Sequence, residues 1–216
     1  MTEAIRPLLK ASSVLAVSVA IATLVPLSLA ISGIGSPAQT SLGFYSNGAG
    51  VISDPRGDAQ PVLQESGSAI VPEAEAYHDV TRASVRKHDG TFLLSLELAG
   101  NPDLNEKYET NYMWHIISSD PATGRDLHYI VMIFHFGPDF NHTSVGWHYA
   151  IYNDTSESYI LPQTKIDDMP AGKVEYPVQD WLIGNPSSFR YWVSVFVRVD
   201  SKSFDGPPEY LMDYAP

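Results

Sequence analysis

Along residues 79–100, DVTRASVRKHDGTFLLSLELAG, apolar and polar side chains alternate with a period of two. Thr81, Ala83 and Val85 fall on one side of the first arm, and Arg82, Ser84 and Arg86 on the other. In the second arm Phe92, Leu94, Leu96 and Leu98 alternate with Leu93, Ser95, Glu97 and Ala99. Successive side chains of a strand point to opposite faces, so each arm reads as a strand with one face to bury. His88-Asp89-Gly90 between them reads as a tight turn, because Asp and Gly accept positive φ most readily. A lone hairpin is marginal in water, and its apolar face needs a second sheet to cover it.

The chain beyond the hairpin supplies more strands. Tyr112, Trp114 and Ile116 alternate with Met113, His115 and Ile117. Residues 127–136 are nearly all apolar, as a central strand covered on both faces should be. Val145, Trp147, Tyr149 and Ile151 form one face of the next segment, and Gly146, His148, Ala150 and Tyr152 the other. Weaker segments lie near residues 159–161 and 173–178, and residues 189–200 (FRYWVSVFVRVD) are the longest β-branched and aromatic run. Turn signals separate these segments, and nothing after Ile34 has a long amphipathic helical period. The expected fold is all-β, an immunoglobulin-like or jelly-roll β-sandwich.

The N-terminal region departs from this pattern. Arg6 and Lys10 precede a strongly apolar run over residues 14–34, and no further charge appears until Asp54. A basic start followed by an apolar run is an export signal, with Ser28-Leu29-Ala30 or Ser36-Pro37-Ala38 as small-residue cleavage sites. The run also approaches the ~20 residues that span a bilayer. One apolar signal or anchor helix is therefore expected over residues 1–35, a Ser/Gly-rich linker over 36–50 and a β-sandwich domain over 51–216. Basic residues ahead of the run hold the N-terminus inside and place the domain outside the cytoplasm, at the cell surface or secreted.

Composition removes several function classes. The 216 residues include no cysteine, which excludes disulfides and thiolate metal sites. A formal charge of -12 argues against nucleic acid or an anionic membrane surface as partner. Gly-x-Ser-x-Gly, P-loop and His-Glu-x-x-His motifs are all missing, so the expectation is a protein that is not an enzyme.

Three candidate chemistries remain. Asp54, Asp58 and Asp79 are hard oxygen donors, the first two flanking a Pro-Gly turn, and calcium takes 6–8 such ligands. The plainer alternative is that they only build the turn through side-chain-to-backbone bonds. His115 and His148 are out of phase with the bulkier apolar positions, with Tyr152 in phase with His148 and Tyr129 on the neighbouring central strand. Together these four make a candidate ligand face, since sugar rings stack on aromatics and sugar hydroxyls seek imidazoles. The alternative is that a second layer, or the insertion at residues 60–77, covers that face. Asn141-His142-Thr143 and Asn153-Asp154-Thr155 are N-glycosylation sequons in predicted turns.

The Asp54-Pro55-Arg56-Gly57-Asp58 loop, an irregular insertion, Asp79-Val80 and the amphipathic hairpin together resemble the DOMON-like and family 9 carbohydrate-binding-module group. The likeness is nearest to the C-terminal module of glucodextranase-type enzymes and spans residues 51–216. It implies an extracytoplasmic β-sandwich that binds sugars or, in some branches, haem. Met113 with a later histidine could ligate haem axially, but without an attachment motif haem is not expected. These 216 residues carry no recognisable hydrolase domain. Two functions follow as expectations: a surface-anchored module binding a glycan or other small extracellular ligand, or a structural envelope subunit that self-assembles. The membrane is a partner through the N-terminal helix if that helix is retained.

Overall fold

The structure is a computed structural model, and it describes residues 42–63, 71–141, 143–199 and 210–216. The hairpin forms as the alternation requires, from β4 (Val80–His88) and β5 (Thr91–Leu98). Asp89 and Gly90 both take positive φ, 46° and 75°, at its turn. Flanked by β2 (Ala49–Ser53) and β10 (Val174–Gln179), it makes a four-stranded sheet in the order β10-β5-β4-β2.

The larger sheet runs β3 (Val62–Leu63), β12 (Tyr210–Ala215), β11 (Phe189–Arg198), β6 (Glu109–Ser119), β7 (Asp126–Phe136), β8 (Gly146–Asn153) and β9 (Ser158–Lys165). β1 (Gly43–Tyr45) pairs with the start of β11. All pairings are antiparallel. The described residues are thus all-β, and the two sheets share one apolar core. Val85, Phe92, Leu94 and Leu96 of the hairpin bury with Trp114, Ile116, Val131, Ile133, Val193 and Val195 of the larger sheet. Among the described residues the only helical pieces are short 3-10 turns, and no helix is long and apolar enough to cross a membrane.

Three differences from the sequence reading have local causes. A register shift between Val80 and Arg82 takes Thr81 off the buried face, and its hydroxyl donates to the Glu97 carbonyl at 3.0 Å. Among the described residues a strand already runs over Gly43–Tyr45, inside the stretch expected to be linker, because Tyr45 stacks on Phe189 at 4.6 Å and meets Phe92 edge-on at 5.2 Å. The irregular insertion holds the short strand β3 and a 3-10 turn at Ala76–His78. The expected N-terminal helix over residues 1–35 lies outside the described residues.

Gly137 makes the bend after β7 possible. A Cβ there would stand 2.3 Å from the Glu106 carbonyl oxygen, a backbone atom that cannot swing aside. Its N–H donates to the Tyr108 carbonyl at 3.0 Å, so the two segments are pinned together. Gly137→Ala should therefore cost about 1–3 kcal/mol of stability, in the range of overpacked sites. Thermal unfolding followed by circular dichroism measures this, and an unchanged melting temperature contradicts it.

Candidate functional site

The loop after β2 is stitched to both sheets. The Asp54 N–H donates to the Thr81 carbonyl at 3.1 Å, and Gly57 N–H donates to Asp79 Oδ2 at 2.7 Å. Gln60 N–H donates to the Met212 carbonyl at 2.8 Å. Asp213, on β12, accepts the Val80 N–H on Oδ2 at 2.6 Å and the Tyr214 N–H on Oδ1 at 2.8 Å. These bonds gather Asp54, Asp58 and Asp213, whose nearest carboxylate oxygens all lie within 4.8 Å of one another.

Asp79 stands behind this trio. It is buried, one oxygen taken by Gly57 and the other, Oδ1, without a hydrogen-bond partner. Of the three expected metal residues, Asp54 and Asp58 thus meet. Asp79 anchors their loop instead, and Asp213 takes the third corner. Burial, then the charges of Asp213, Asp58 and Asp79, push the Asp54 carboxyl up from 3.8 to about 7. Burial also raises Asp213 to about 6, against the lowering effect of its two N–H bonds. Hard oxygen ligands that repel one another while partly desolvated are a chemistry that a divalent cation satisfies.

The expected ligand face is arranged differently. His115, Ile130 and Tyr152 are register partners across β6, β7 and β8, so His115, His148 and Tyr152 do share the outer face of the larger sheet. Tyr129 does not. It pairs with Ile116, one position out of phase, and belongs to the main core between the sheets. The outer face is also no wet platform. Met113, Ile130, Met132, Ala150, Tyr152 and Phe196 form a second buried cluster there, and His115 is only 2% exposed.

Buried polar groups on this face are mostly engaged by one another. Arg198 and Glu109 form an ion pair at 3.1 Å with both side chains almost fully buried. His115 lies parallel to Trp192, ring centroids 4.6 Å apart, and its Nε2 meets Ser194 Oγ at 2.8 Å. That contact has a nucleophile-base geometry. However, His115 Nδ1 has no orienting carboxylate and burial lowers the imidazole to about 3, so the pair lacks what a triad needs. His128 takes the nearby Asp154 carboxylate at 2.9 Å.

An open concavity lies on the other sheet. The outward side of the hairpin, with β2 and β10 beside it, lines a groove of about 640 Å³. Ser84 and Ser95 face each other across its floor, with Val51 beside Ser84 and Glu175 beside Ser95. Arg82 and Glu97 pair at 3.3 Å along one side. The hairpin's polar alternation signalled this face. That it is concave required β2 and β10, which come from distant sequence. Asp213 carried a weaker signal, as a lone acid in the apolar tail LMDYA.

No family model matches the chain, and neither a curated protein nor a solved structure does. Function therefore rests on the geometry. Of the sequon asparagines, Asn141 accepts Thr143 N–H and Oγ–H on its Oδ1, and Asn153 accepts the Ser156 N–H, so both hold turns.

The raised carboxyls set a pH dependence. A carboxyl whose pKa is higher folded than unfolded binds protons more tightly in the native state. Without a cation, its contribution is present at acid pH and is lost as pH rises from about 4 towards 7. In chelator, raising the pH through this window should lower the melting temperature, and Asp54→Asn should flatten that slope. A wild-type slope identical to that of the variant contradicts the assignment.

Proposed function

We propose that this chain is a non-catalytic binding module outside the cytoplasm, of the immunoglobulin-like or jelly-roll sandwich kind. It takes a glycan or other small polar ligand in the groove of the small sheet. The groove carries this reading, because it is polar, open and of ordinary ligand-site volume, whereas the aromatic face of the larger sheet is buried. The resemblance at residues 54–58 and 79–80 to DOMON-like and family 9 modules supports it. Export through the apolar run over residues 14–34 would put the module where extracellular glycans are.

In this reading calcium sits among Asp54, Asp58 and Asp213 and fixes the loop to the seam of the two sheets. Binding confined to the folded state stabilises it by about 2.7 kcal/mol at a hundredfold excess over Kd. Calcium should raise the melting temperature and chelator should reverse the gain, while Asp58→Ala should remove most of the difference. A melting curve indifferent to calcium and chelator leaves the carboxylates a turn-building role only.

For the groove, Ser84→Trp should abolish glycan-array binding without lowering the melting temperature, and Tyr152→Ala should leave binding intact. The reverse pattern would return the site to the larger sheet. One feature favours a second reading, a self-assembling envelope subunit. Strand β9, eight residues long, pairs only with β8 and leaves its other edge without a strand partner among the described residues. Pro162 and Lys165 blunt that edge. Size-exclusion chromatography separates the two, since a polymer at micromolar concentration favours assembly and a monomer favours the module.

A further inference from the structure

The charge layout of the groove narrows the ligand. Its face is a grid set by strand register. Arg82 pairs across to Glu97, Ser84 to Ser95 and then Glu175, and Arg86 to Leu93. Lys173 stands one residue before β10, beyond the Val174–Leu96 pair. Several of these groups are satisfied internally. Arg82 holds Glu97 at 3.3 Å, and Ser95 Oγ donates to Glu175 Oε2 at 3.1 Å.

Arg86 and Lys173 are different. Both are exposed, both line the groove, and neither forms an ion pair among the described residues. The lining sets three cations, Arg82, Arg86 and Lys173, against two carboxylates, Glu97 and Glu175, so in a chain of formal charge -12 the groove carries a local surplus of positive charge. Arg86 and Lys173 lie two strands and about four residues apart, so their Cα atoms are roughly 16 Å from each other. Between them the floor offers the small hydroxyls of Ser84 and Ser95, with the exposed apolar side chain of Val51 beside Ser84 on β2. Such a floor suits a ligand with many hydroxyls and some C–H surface, and the two corners suit anionic groups spaced along it.

We infer that the groove is selective for an acidic oligosaccharide, a chain of sugars bearing carboxylates, held by Arg86 at one end and Lys173 at the other. The inference rests on the reading of the chain as a glycan-binding module. Arg86 can meet a carboxylate bidentately, whereas Lys173 acts as a point charge.

Isothermal titration of the full chain with trigalacturonate, and with the same trisaccharide after its carboxyls are reduced to alcohols, tests the inference. The acid form should bind at least about tenfold more tightly than the neutral one, as a charged hydrogen bond commands. Affinity should fall with added salt, and Arg86→Gln and Lys173→Gln should each reduce it severalfold at an unchanged melting temperature. Equal binding of the acid and neutral forms overturns the charge selectivity while leaving a glycan-binding module. So does full affinity in the Arg86→Gln/Lys173→Gln double variant. Binding of an oligoglutamate peptide as tight as the uronate overturns the sugar class. Failure of every acidic and neutral glycan on an array removes the module reading itself, and this inference with it.

Discussion

One carboxylate, that of Asp213, stands where both sheets and the acidic loop meet. Through Oδ2 it accepts the N–H of Val80, the first residue of the hairpin, 133 positions earlier in the chain. The neighbouring Met212 carbonyl takes Gln60, and Thr81 takes Asp54, so the loop cannot shift without breaking sheet contacts. A buried carboxylate is costly unless hydrogen-bonded, and these N–H groups are what make it tolerable. The same bonds hold two further carboxylates within repulsive range. The seam that joins the sheets is therefore also a place where three carboxylates crowd together.

The unequal width of the two sheets decides where a functional surface is available. The larger sheet presents apolar side chains on both faces of its central strands. One face joins the main core, and the other forms the second cluster around Met132 and Phe196. A nearly dry ion pair between Glu109 and Arg198 on that outer side shows how little water reaches it. The small sheet is apolar on one side only. Its hairpin turns Arg82, Ser84 and Arg86 to solvent, and its flanking strands give that face walls. Small serines at its centre and long charged residues around them make a hollow rather than a plateau.

Much of this was legible in residue order. Period-two alternation determined the hairpin, its Asp89-Gly90 turn, the inward set Phe92, Leu94 and Leu96, and the doubly buried strand over residues 127–136, because side-chain direction along a strand is a local property. The pairing of Asp54 with Asp58 was equally local, four residues apart around one turn. Tertiary structure alone decided the rest. Cross-strand register put Tyr129 opposite Ile116 and so into the core, away from His115. Register is set between strands, and nothing within β6 or β7 reports it. Burial of His115, His148 and Tyr152 depended on how the neighbouring side chains of the outer face pack around them, which a polar position in an alternating strand does not reveal. Asp213 reached the acidic cluster, and β2 and β10 walled the groove, only because antiparallel pairing brings segments far apart in the chain side by side.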